Sequence, residues 1–161
     1  MIKRILYSLS LLSLASNAWE LAEHGFMGST HIDRLDHSVS VAIEGDNVII
    51  TMKGTADSWF GFGFGSERME DTYTIIVSDQ GTKEYFLKKL SLDQSENIVR
   101  PSGLTVQMDE IVGEHRIVEV TRPRHLDYFT FPDEETAMDI IYAKGSGLQE
   151  VGYHGYSNRG C

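Results

Sequence analysis

The sequence predicts an all-β protein, an antiparallel sandwich or barrel. Short apolar runs of strand length recur along the chain, Gly, Asp, Asn and Pro separate them, and helical periodicity is weak throughout. The first element is a hairpin. Ser38 to Glu44 (SVSVAIE) alternates apolar and polar residues, Gly45-Asp46-Asn47 has turn chemistry, and Val48 to Lys53 (VIITMK) continues as the second strand. Six further runs read as strands: Ser58 to Gly65, Thr72 to Ser78, Lys83 to Leu90, Leu104 to Val112, Arg116 to Thr121 and Met138 to Ala143. Ala22 to Gly28 carries only a weak helical signal, and Asp133 to Met138 reads as a turn after Pro132. The polar stretch Asp93 to Gly103 is expected to be a loop punctuated by Pro101 and Gly103.

At the N-terminus, Lys3 and Arg4 precede an apolar run from Ile5 to Ala15, followed by Ser16-Asn17-Ala18 with small residues where a signal peptidase reads. This pattern is a secretory signal peptide, residues 1–18, leaving a single domain, residues 19–161. The apolar run is shorter than the roughly 18 to 20 residues of a membrane helix, and no later run approaches that length. The chain is therefore expected to be secreted or periplasmic and not transmembrane. Cys161 is its one cysteine. It is either free or the link in a disulfide-bonded dimer, and it excludes both an internal disulfide and c-type haem attachment.

The formal charge is −10, and removal of Lys3 and Arg4 brings it to about −12. Such a chain repels a polyanion, and no basic stripe with interleaved aromatics opposes that repulsion, so nucleic acid is excluded as a partner. The acidity suits solubility or docking on a basic patch of another protein. No Gly-x-Ser-x-Gly elbow, His-Glu-x-x-His pair or phosphate-binding glycine loop is present, and Asp133-Glu134-Glu135 reads as a solvated charge run. No catalytic residue is expected.

The run Trp59 to Gly65 (WFGFGFG) departs from ordinary core. In a strand, Phe60, Phe62 and Phe64 share one face, and Trp59, Gly61, Gly63 and Gly65 share the other. The phenylalanine face reads as core. Each glycine on the opposite face gives up backbone entropy and adds no packing, which implies a close approach by a strand, an aromatic ring or a flat ligand. Trp59 lying over the glycines in close sheet packing satisfies the same pattern.

Met69 follows in the charged loop Ser66 to Asp71. It is either a partly exposed loop residue or a soft thioether ligand suited to iron or Cu(I). Near the C-terminus, His154 stands between Tyr153 and Tyr156, with Gly152 and Gly155 allowing a tight turn. It is either a structural or solvated histidine or one that presents an imidazole nitrogen to a metal.

Taken in order, Trp59 to Gly65 with Met69, Val120-Thr121-Arg122-Pro123, Ile140 to Gly145, Tyr153-His154 and Arg159-Gly160 resemble a DOMON domain over about Val39 to Gly160. The resemblance implies an immunoglobulin-like antiparallel β-sandwich in an exported protein. Its haem-binding branch, similar to the cytochrome domain of cellobiose dehydrogenase, holds a b-type haem between one methionine and one histidine. Carried onto this chain, those metal ligands are Met69 and His154. The cofactor-binding residues implied are Trp59, Gly61, Gly63 and Tyr153, with Arg122 and Arg159 as candidate partners of the haem propionates.

Two axial ligands leave no open coordination position, so the resemblance implies an electron carrier rather than an enzyme, serving a separate redox partner protein. Two alternatives stay open. One is a metal-free carbohydrate- or ligand-binding module in which Trp59, Tyr153 and Tyr156 stack on sugar faces. The other is a copper site using Met69 with His24, His31, His37 or His154.

Overall fold

The computed structural model describes residues 25–33, 35–68, 70–87, 102–133, 136–147 and 159–160; for 25–27, 159 and 160 it gives the course of the backbone alone. The strands are β1 (Gly25–Ile32), β2 (His37–Glu44), β3 (Asn47–Thr55), β4 (Phe60–Phe64), β5 (Thr72–Ser78), β6 (Gly81–Leu87), β7 (Thr105–Val112), β8 (His115–Pro123), β9 (His125–Leu126), β10 (Phe129–Thr130), β11 (Ile140–Lys144) and β12 (Arg159–Gly160). No helix occurs among the described residues. One five-stranded antiparallel sheet runs β1-β2-β3-β8-β7 and the other β12-β11-β4-β5-β6, with β9 and β10 forming a short separate hairpin. The two larger sheets face each other as a sandwich, as the sequence predicts.

Alternation builds the first sheet. In β3, Val48, Ile50 and Met52 point inward and are fully buried, while Ile49, Thr51 and Lys53 are half-buried on the other side. The β2–β3 hairpin closes through Gly45, whose φ of +58° lies in the left-handed region that glycine enters without strain. On β8, Val118, Val120 and Arg122 share the inward face. The second sheet contributes Phe60, Phe62 and Phe64 from β4 and Tyr73, Ile75 and Val77 from β5, and Phe131 joins them to complete the core.

The predicted strand limits shift by a few residues. The run expected from Lys83 to Leu90 already begins at Gly81 and is described as far as Leu87, with 88–90 outside the described residues, and that expected from Met138 to Ala143 is Ile140–Lys144. The weak helical signal at Ala22 to Gly28 is overturned over its described part, because 25–32 forms strand β1 against β2, with a bulge between Phe26 and Gly28. The expected turn after Pro132 is present, closed by Thr136 N–H donating to Asp133 C=O at 3.2 Å. No helix of the described residues is long and apolar enough to cross a membrane.

Candidate functional site

Register places the glycines. Gly61 stands opposite Ile76 of β5 and Ala143 of β11, and Gly63 opposite Thr74 and Ile141. These residues form the face of the second sheet turned away from the core. That face is also apolar, with a second buried cluster of Trp59, Ile76, Tyr85 and Leu87, against which Ala143 packs. β4 and β5 are buried along their whole length, on both faces. A half-buried antiparallel sheet normally turns polar side chains outward, so apolar residues on both faces of these strands mark a sheet covered on each side.

The space left by the missing Cβ atoms is occupied. A Cβ on Gly63 would lie 2.7 Å from Ile141 Cγ1 and 2.8 Å from Thr72 Cγ2, and one on Gly61 would lie 3.0 Å from Ile76 Cγ1 and from the Ile75 carbonyl. Same-sheet neighbours therefore lean over the glycines and form the surface above them. Trp59 extends the β4–β11 ladder: its N–H donates to Gly147 C=O at 3.0 Å, and its C=O accepts from Gly145 N–H at 2.9 Å. Its indole lies over Gly145, where a Cβ would overlap Nε1 and Cδ1. Gly145→Ala is accordingly expected to cost about 1–3 kcal/mol by overpacking. Chemical denaturation followed by tryptophan fluorescence checks this, and an unchanged midpoint would show that the indole does not occupy that place.

Trp59 is only 4% exposed, so it presents no open ring face on which a sugar could stack. Thr74, on the same face as Gly63, has a buried Oγ1 with no hydrogen-bond partner among the described residues. The face is apolar apart from its threonines, with Trp59 and Tyr85 as aromatic members of its buried cluster. Among the described residues no three His, Cys, Asp or Glu side chains converge as metal ligands. The donors implied for iron, Met69 and His154, lie outside the described residues, as do Tyr153, Tyr156, His24 and Cys161. The described neighbours of Met69, Arg68 and Glu70, stand in the loop between β4 and β5. Arg159 pairs through its backbone with Ala143, which brings the C-terminal strand to the β11 edge of this sheet, one strand from β4.

Arg122 is not at the surface. Its side chain is fully buried, 4.0 Å from the equally buried Glu84 carboxylate (Nη1 to Oε1). Nη2 donates to Phe129 C=O at 2.7 Å and Nε to Pro123 C=O at 3.0 Å, and the guanidinium carbon lies 4.5 Å from the Tyr73 ring centroid and 5.3 Å from that of Phe131. Such enclosure leaves the guanidinium no free path to a carboxylate outside the core. Glu84 is a hub: Oε1 accepts from Tyr73 Oη at 2.6 Å, and Oε2 accepts from Ser102 Oγ at 2.6 Å and Gly103 N–H at 2.9 Å. Burial, reinforced by the Glu84 charge and hydrogen bond, pushes the Tyr73 hydroxyl far above its usual range, so it stays protonated and keeps donating.

Of the histidines considered for copper, His31 and His37 are described, and neither belongs to a cluster of metal ligands among the described residues. His37 is 2% exposed and its Nε2 accepts Thr55 N–H at 3.2 Å, which uses the lone pair a metal would need. Burial, with Lys144 nearby, lowers its pKa to about 4. His31 lies apart, its Nε2 3.3 Å from Asp33 and 3.9 Å from Asp36. Asp36 in turn joins Lys53 at 3.0 Å and His115 at 2.5 Å, tying the β1–β2 turn to β3 and β8. A cleft of about 610 Å³ opens between β1 and the segment 136–142, lined by Thr30, His31, Ile32, Met138, Asp139 and Tyr142 among others. Its size is in the range of small-molecule sites. The sequence reading missed this cleft, since its walls belong to different sheets and meet only when the two sheets pack as a sandwich.

No protein-family model matches the chain, and no curated protein sequence matches it significantly. Among solved structures, it is similar to the crystal structure of the cytochrome b domain of pyranose dehydrogenase from Coprinopsis cinerea, with a TM-score of 0.56, 13% sequence identity, and coverage of 83% of this chain and 74% of that chain. At that identity the likeness shows the fold, an all-β antiparallel sandwich.

Proposed function

We propose that this chain is an exported, b-type cytochrome-like domain that binds haem and passes single electrons to a separate redox partner, without catalysing a reaction of its own. The observation that carries the reading is the apolar outer face of a sheet buried on both sides, within a fold shared with a cytochrome b domain. Met69 and His154 are the residues that would hold the iron, one through a neutral thioether and the other through an imidazole nitrogen. When bound, haem supplies a one-electron couple, and a methionine ligand favours the ferrous state.

The chain's own residues do the rest. Trp59, Ile76, Tyr85 and Leu87 provide an apolar surround that keeps water away. Gly61 and Gly63 lower the height of the sheet surface, so that Ile76 and Ile141 become its top layer. Trp59 is enclosed, which removes one ring from the sugar-stacking alternative. The test is titration of the chain with haem under reducing and oxidising conditions. One equivalent is expected to bind wild-type protein, and Met69→Ala and His154→Ala are each expected to abolish the low-spin spectrum. Wild-type protein that takes up no haem sinks the proposal.

A further inference from the structure

Strand β7 is the outermost strand of the first sheet and pairs only with β8 among the described residues. It is exposed along nearly its whole length, yet Val106, Ile111 and Val112 are 45%, 66% and 57% exposed. Register puts Val106 opposite Val120 and Ile111 opposite Arg116, on the face that elsewhere belongs to the core, and Val112 opposite His115 on the other face. Natural edge strands are guarded by lysine, proline, bulges or inward charges, because an unpaired row of N–H and C=O groups templates further pairing. β7 has no lysine or proline, and its inward-facing charge, Asp109 opposite Val118, is paired with Arg116. Its bulge, between Val106 and Met108, lies near the start and leaves Met108 to Val112 in unbroken register.

Charge decides what can add to this edge. Side chains directly opposite in an antiparallel pair share a face, so two copies of β7 related by a two-fold axis must cross at a residue that faces itself. Crossing at the centre of the unbroken stretch sets Glu110 against Glu110, and crossing one residue earlier sets Ile111 against the bulged Gln107. Like charges directly opposite are destabilising. Crossing at Met108 meets the bulge, and crossing at Ile111 runs out of strand at Gly113. Asp109 is neutralised by a two-pronged pair with Arg116, Nε to Oδ1 and Nη2 to Oδ2, both 2.7 Å. Glu110 has no cation partner among the described residues, and Glu119 shares its face one strand in. The edge thus disfavours its own copy and favours a basic strand.

We propose that β7 is a docking edge for an extended basic segment of another protein, which adds to the sheet as a further strand. It would place lysine or arginine beside Glu110 and an apolar side chain beside Ile111. The probe is an acetylated peptide of alternating Lys and Val, as long as β7, compared with its Glu–Val counterpart and with a form N-methylated along one edge. Affinity is read by calorimetry and location by amide hydrogen exchange in the full chain. The Lys–Val peptide is expected to slow exchange along β7, the N-methylated form is expected to do nothing, and Glu110→Lys is expected to weaken binding roughly fivefold. Unchanged exchange along β7, equal binding of the Glu–Val peptide, or a chain that dimerises until Ile111→Lys is introduced would each overturn the proposal.

Discussion

Glu84→Leu is expected to lower folding stability by about 3–5 kcal/mol, the cost of leaving a buried charge without its partner. The carboxylate and the Arg122 guanidinium both have side chains at 0% exposure, and Arg122 Nη1 already lacks a hydrogen-bond partner among the described residues. Removing Glu84 also strips the hydroxyls of Tyr73 and Ser102 and the N–H of Gly103 of their acceptor. Arg122→Met should cost less. It strands a carboxylate, but one that keeps those donors, and methionine can refill the space among Tyr73, Tyr128 and Phe131. Denaturant midpoints at constant slope measure the two variants. Equal losses would mean that the carboxylate is held by the arginine alone.

The second large effect is a loss of stability in mild acid. The folded His37 imidazole is held near a pKa of about 4, mainly by burial, against 6.5 when exposed. Below pH 6.5 the unfolded chain takes up a proton that the folded chain refuses. Stability contributed by the neutral ring is therefore full above pH 6.5 and falls until pH reaches about 4, by about 3 kcal/mol in total. Protonation would also place an N–H where Nε2 now accepts from Thr55 N–H. His37→Gln keeps an acceptor and does not titrate, so its stability should change much less across this window. Asp36 acts in a different one. Its hydrogen bond to Lys53 holds its carboxyl below the ordinary 3.8, so its contribution is lost only as pH falls further, and its half exposure keeps it small. If His37→Gln loses as much stability as wild type between pH 6.5 and 4, the buried imidazole is not the cause.

Much of the fold is legible in the chain because period-two alternation is local. Val48, Ile50 and Met52, and Val118 and Val120, announce their own faces. The same parity already puts Arg122 on the face of Val118 and Val120, a signal of burial that its charge masks. Glu84 follows the same logic, opposite Ile75 and on the face of Tyr73. Strand β1 is not legible, since Gly25, Gly28, Ser29, Thr30 and His31 carry no apolar alternation and become a strand by pairing with β2. The hairpin of β9 and β10 is missed for a similar reason, each strand being two residues long.

The site is legible in a more limited sense. Alternating glycines announce a close approach. That Thr72 and Ile141 make it over Gly63, and Ile76 over Gly61, depends on the register of β4 with β5 and, for Ile141, with β11 far along the chain. His37 reads as a candidate copper ligand until β3 supplies the N–H of Thr55.

Near-infrared magnetic circular dichroism of the haem-loaded ferric chain distinguishes a thioether–imidazole pair from two imidazoles or a vacant position. The expected result is a methionine–histidine signature that Met69→Ala and His154→Ala each remove. A bis-histidine signature, or a methionine–histidine signature that survives both substitutions, would contradict ligation of the iron by Met69 and His154.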